Sequence, residues 1–116
     1  YRRLSTVRTA REVDDIAAEW ADRFGPVPEA GQRLLDAGYL RSECVRLGVA
    51  EVAVGKGVAR ISPLTLGVSA QVRLRRLAPK ATYKEDLSQL VVPLRNPDRA
   101  AAELRDLLSE LVPAAP

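Results

Sequence analysis

The sequence predicts an α+β domain: a helical N-terminal half followed by two β-hairpin-plus-helix units, whose strands form a small antiparallel sheet covered by helices. Three observations predict it. Apolar residues recur at spacings of three and four from Val13 to Phe24 and again from Ala100 to Leu111, as in helices that bury one face. Two β-branched runs flank Gly55-Lys56-Gly57, a turn of the kind that closes hairpins. A second pair of short runs flanks Glu85-Asp86 and stops at Pro93.

At 116 residues the chain suits one compact domain with a single core, so residues 1–116 are read as one unit. Tyr1-Arg2-Arg3-Leu4 looks like the last turn of a helix. Residues 1–8 are therefore expected to be the tail of a preceding helix, and the chain a piece of a longer protein.

Thr9-Ala10-Arg11-Glu12 is a capping box: the threonine hydroxyl accepts from the amide three residues on, and the glutamate reaches back to the threonine amide. A helix from Ala10 to Phe24 follows, with Val13, Ile16, Ala17, Trp20 and Phe24 as its buried stripe. Gly25 supplies a left-handed cap, and Pro26 and Pro28 prevent continuation. A helix over Glu29–Leu47 is closed by Gly48, with Leu34, Leu35, Leu40, Val45 and Leu47 as its core residues and Cys44 beside them as a small core side chain.

Strands are expected at 49–54 and 58–61. After a connector at 63–67, Ser69 caps a short helix over 70–77 that Pro79 ends, although Val72 to Arg75 also alternates like a strand. Strands at 82–84 and 89–92 form the second hairpin. Asn96-Pro97-Asp98 then starts the last helix with a cap, a proline in the first position and an acid in the first turn. Its apolar face is Ala100, Ala101, Leu104, Leu107, Leu108 and Leu111, Pro113 ends it, and residues 113–116 are expected to fray.

Composition removes several kinds of chemistry. With no histidine, imidazole bases and His-based triads or zinc sites are excluded, and a lone Cys44 excludes an intramolecular disulfide and a cysteine zinc site. Gly55-Lys56-Gly57 lacks the spacing of a phosphate-binding loop and leads into strand instead of helix. No catalytic, cofactor-binding or metal-ligating set is expected in this chain. No apolar run has the length of a membrane span and no signal-peptide pattern is present, so the cytoplasm is the expected compartment.

Two charged features remain. Glu12, Asp15, Glu19 and Asp22 repeat at spacings of three, four and three, making an acidic stripe whose carboxylates repel by about a few tenths of a kcal/mol per pair. Such a stripe suits a basic partner, although a solvated helix face with local Arg–Glu pairs is the plainer account. Arg73, Arg75, Arg76, Lys80 and Lys84 form a basic run with Tyr83 the only interleaved aromatic. With a net charge of +3 and a pI of about 9.4, nucleic-acid binding through Arg73–Lys84 is the alternative reading.

Tyr1-Arg2-Arg3-Leu4, Glu19 followed by Asp22-Arg23-Phe24-Gly25 and Pro28, Leu34-Leu35, Leu40-Arg41 and Leu47-Gly48-Val49 together resemble the C-terminal domain of the bacterial transcription-repair coupling factor family, Mfd. The match is clearest over the first half; beyond Gly55 it rests on element order and spacing, with Tyr83 as an anchor. Trp20-Ala21 stands where that family often has two aliphatic residues.

The resemblance implies a large ATP- and magnesium-dependent parent that translocates on duplex DNA, displaces stalled RNA polymerase and recruits UvrA through a UvrB-like module. It implies no enzymatic activity and no cofactor for this domain, which would pack in cis against the UvrB-like module, mask the UvrA surface and restrain the motor. By motif match Glu19, Asp22 and Arg23 face that partner, with Glu12 and Asp15 continuing the stripe.

Overall fold

The computed structural model describes residues 4–113. Helix α1 spans Ala10–Phe24 and opens as expected: Thr9 is extended, and its Oγ1 accepts from the Glu12 amide at 3.3 Å. The return contact differs by one residue. The Glu12 carboxylate accepts from the Arg8 amide and from the Thr9 hydroxyl, both at 3.3 Å, in place of the Thr9 amide.

Val13 and Ile16 are buried and Ala17 and Trp20 half-buried, but Phe24 departs from the expected stripe and is 76% exposed. Packing geometry explains the departure. Helix α2, Glu29–Leu47, runs back along α1 with Gly38 against Val13 and Tyr39 bonded to Asp14, so near Phe24 it offers only Glu29 and Ala30, both exposed. The whole last turn, Ala21 to Phe24, protrudes and is exposed.

Gly25 ends α1 by donating to the Ala21 carbonyl at 3.0 Å, at φ 76° and ψ −154°. This is the extended positive-φ region, open essentially to glycine alone, and not the left-handed cap the sequence suggested. The cause is Pro26, which pushes the preceding residue away from α-type ψ.

The four strands, β1 Glu51–Gly55, β2 Val58–Ser62, β3 Thr82–Lys84 and β4 Gln89–Pro93, form one antiparallel sheet in the order β1-β2-β4-β3. Gly55 pairs with Val58, and Lys56 and Gly57 between them both take positive φ, the two-residue turn that matches strand twist. Alternation then sets the faces. Ala59, Ile61, Leu90 and Val92 point to α3, Val68–Leu77, and α4, Ala100–Leu111, while Ala53 and Arg60 on the other face are exposed.

Two expected caps are replaced. Helix α3 starts at Val68 with Gly67 in the cap position, and Ser69 lies exposed in its first turn. Asn96 makes no side-chain cap; Pro97–Arg99 is a 3-10 turn ahead of α4. Glu103 does the work from inside the helix, accepting from the Arg95 amide at 2.9 Å and the Asn96 amide at 2.8 Å.

Helices α2 and α4 run parallel. Arg105 lies over Tyr39, Ser109 donates to Glu43, and Arg46 donates to the Val112 carbonyl at 2.6 Å, so both helices advance together. This seam carries polar side chains and divides the apolar interior into two clusters, in place of the single core expected. Leu4, Val7, Val13, Ile16 and Leu35 form one, beneath α1; Ile61, Leu64, Leu90, Leu104, Leu108 and Leu111 lie in the other, beneath the sheet. Helix α2 serves both, giving Leu34, Leu35 and Tyr39 to the first and Leu40 and Leu47 to the second. Val45, expected in the core, is 37% exposed, because it lies past the start of α1 on the line that Leu34 and Gly38 begin.

The radius of gyration, 14.7 Å, exceeds the roughly 13.4 Å of a compact chain this long, as two clusters in line require. The expected helix tail at residues 1–8 is not an α-helix end within the described residues: Leu4–Thr6 is a 3-10 turn, and Leu4 and Val7 are buried. Residues 1–3 and most of the expected frayed tail lie outside the described residues.

Candidate partner-binding surface

At about 100° per residue, Glu12, Asp15, Glu19 and Asp22 fall within an arc of about 80° on α1. Glu12 and Glu19 border the buried side; Asp15 and Asp22 face outward. The four acids do share a face, but they are not equivalent. Glu12 is held at the helix start by the Arg8 amide and Thr9 hydroxyl, so it belongs to the cap. Glu19 is half-exposed and pairs with Arg23 at 3.8 Å, a long contact across a screened surface that is worth little in stability. Asp15 and Asp22 are exposed and make no ion pair with any described residue.

Glu19, Asp22 and Arg23 therefore sit together on the protruding end of α1, where the helix C-terminus adds its own partial negative charge. Asp15 lies two turns back and Glu12 at the far end. Phe24 shares the protruding turn on its other flank, which the apolar periodicity did not foretell.

Behind this end, the seam between α1, α2 and α4 is tightly tied. The Tyr39 hydroxyl donates to Asp14, and burial followed by that bond pushes the phenol up to about 12. Burial would raise the Glu43 carboxyl, but bonds from Arg46 at 2.5 Å and from Ser109 outweigh it and hold the group below its ordinary value. Cys44, half-buried, is raised by burial and then by Glu43, as suits an unreactive packed thiol.

The basic run behaves differently from a single surface. Arg73 donates to the Leu111 carbonyl at 2.7 Å and so closes α4 onto α3. Arg75, Arg76, Lys80 and Lys84 are exposed. Tyr83 is structural: its hydroxyl donates to the Leu64 carbonyl at 2.8 Å and accepts from the Leu66 amide at 3.2 Å, holding the connector against the sheet.

No three His, Cys, Asp or Glu residues converge for a metal ion among the described residues, and no described helix is long and apolar enough to cross a membrane. An open groove of about 520 Å³ lies between the α3–β3 turn, the end of β4 and α4; none of the α1 acids lines it.

Comparison with known proteins agrees with the resemblance. The family model described as the TRCF domain matches residues 1–65. The transcription-repair-coupling factors of Mycobacterium bovis and Mycobacterium tuberculosis are each 39% identical over 109 residues, 92% of this chain and 9% of theirs. That of Escherichia coli is 37% identical over 49 residues, 42% of this chain and 4% of its own. A crystal structure of the C-terminal domain of transcription-repair coupling factor superposes with a TM-score of 0.76, covering 96% of this chain and 75% of that one at 18% identity, which speaks to the fold alone. A match over more than half the chain, a 39% identical relative across nearly all of it and a common α+β fold agree: the chain belongs to the transcription-repair coupling factor family and has the fold of its C-terminal domain.

Proposed function

We propose that this chain is a non-catalytic, autoinhibitory docking domain. Within a larger coupling factor, an ATP- and magnesium-dependent translocase on duplex DNA that displaces stalled RNA polymerase in the cytoplasm, it packs in cis against the UvrB-like module. There it masks the surface that UvrA uses and restrains the motor. The observation that carries this reading is the protruding end of α1, where Glu19, Asp22 and Arg23 lie together, exposed or half-exposed.

Charged contacts of this kind set orientation and specificity more than affinity, which suits an interface that must open. Each exposed charge is worth about 1 kcal/mol or less, so single substitutions will be nearly silent and the test needs a pair. In a parent protein carrying this domain, Glu19→Arg with Asp22→Arg is expected to raise both UvrA capture and basal ATPase. Unchanged capture would remove the masking role.

The alternative, nucleic-acid binding by Arg73–Lys84, has less support. Arg73 is committed to the Leu111 carbonyl and Tyr83 to the connector, leaving no stacking platform in the run. A flat anisotropy titration against duplex and single-stranded DNA at low salt would dispose of it, and a steep salt-dependent rise would restore it.

A further inference from the structure

Phe24 is 76% exposed, although its spacing from Val13, Ile16 and Trp20 continues the buried stripe. An aromatic ring held in water is unfavourable unless something covers it, and large aromatics at well-ordered positions are the residues that dominate interface energetics. Two features fix the backbone that carries this one. The Gly25 amide bonds back to Ala21 in a backbone conformation open essentially to glycine, and Pro26 and Pro28 stiffen the chain beyond. The turn is also uncovered on every side, since Ala21, Asp22, Arg23 and Phe24 are all exposed. Phe24 lies roughly 160° round the helix from Asp22, so a flat surface cannot meet both. A recess that receives the helix end can.

We propose that the last turn of α1 is a knob that enters a recess in the partner, with the Phe24 ring as the anchor that supplies the affinity. The recess has an apolar floor for the ring and a cationic rim for Glu19, Asp22 and the negative helix terminus. The occupant is the UvrB-like module of the same protein, so the inference rests on the masking role proposed above and adds to it the residue that holds the contact shut.

The experiment compares parent proteins carrying Phe24→Ala, Phe24→Leu and the Glu19→Arg/Asp22→Arg pair, reading UvrA affinity alongside amide exchange of α1. Phe24→Ala is expected to tighten apparent UvrA binding about 30-fold, the size of a hot-spot truncation, and Phe24→Leu by less. Amide exchange in α1 between Val13 and Ala17 stays as in wild type, because Val13 and Ile16 are buried within the domain and the ring is mostly exposed. If the charge pair unmasks UvrA and Phe24→Ala does not, the anchor is wrong and the masking role stands. If neither unmasks it, both fall. Should Phe24→Ala speed exchange between Val13 and Ala17, where α1 packs on its own domain, the ring supports that packing and the inference is overturned.

Discussion

Arg105 on α4 lies 4.5 Å above the ring of Tyr39 on α2, whose hydroxyl donates to Asp14 on α1. One side chain thus ties together the three helices, and it does so at the polar seam between two apolar clusters. Those clusters meet chiefly through α2, so polar contacts along the seam carry more of the fold's unity than they would in a domain with one core.

Tyr39→Phe keeps the ring under Arg105 and removes only the bond to Asp14. A loss of about 1 kcal/mol is expected near neutral pH. The pH profile is the sharper readout. The folded chain keeps the phenol proton up to about 12 while the unfolded chain releases it near 10.0, so stability is full below 10.0 and falls as pH rises toward about 12. Urea titrations of wild type and Tyr39→Phe should converge as pH rises into that window, with the wild-type advantage gone before its upper end.

Glu43 gives the opposite limb. Its carboxyl is held below 4.5 in the fold, so its contribution is present above 4.5 and is lost as pH falls through the lower folded value. Glu43→Gln should cost about 1–2 kcal/mol at pH 7, reflecting charged hydrogen bonds to Arg46 and Ser109, and should flatten the acid limb. Denaturant midpoints between pH 3 and pH 7 would show both.

Gly38 is where α2 passes closest to its neighbours. An added Cβ would lie 2.9 Å from a Leu4 methyl and 3.3 Å from a Val13 methyl. Gly38→Ala should be nearly neutral, since a helix-propensity gain of about 1 kcal/mol offsets a small shift of the Leu4 side-chain tip. Gly38→Val cannot make that adjustment and should cost about 1–3 kcal/mol, read by thermal unfolding.

Gly25→Ala forces a side chain into the extended positive-φ region at the end of α1. A loss of about 1–3 kcal/mol is expected, together with a reoriented α1–α2 turn. Because Gly25 has open space around its Cβ position, strain alone would account for that loss, and Gly25→Asn should lose as much, since asparagine tolerates the left-handed region and not this extended one.

Local chemistry was legible in the sequence wherever one residue type has one physical use. Thr9 with Glu12 announced α1, Gly55-Lys56-Gly57 announced the first hairpin, and the spacing of Leu104, Leu108 and Leu111 announced the buried face of α4. Tertiary effects were not legible. Leu64 and Leu66 are buried in a connector that has no period, and the Tyr83 hydroxyl that holds them there gives no signal along the chain. Glu103 replaces Asn96 as the donor-satisfying group because its carboxylate reaches both the Arg95 and Asn96 amides. The acids of the candidate surface were legible as a pattern. Which of them are spent internally was not, since Glu12's role depends on the Arg8 amide and Phe24's exposure on where α2 begins.

The end of α1 is proposed to close the domain onto a basic partner. The most direct measurement is UvrA capture by a parent protein carrying Glu19→Arg and Asp22→Arg, beside wild type at the same salt concentration. Capture that rises together with basal ATPase is the predicted result. Capture equal to wild type, with α1 still protected from amide exchange, would contradict it.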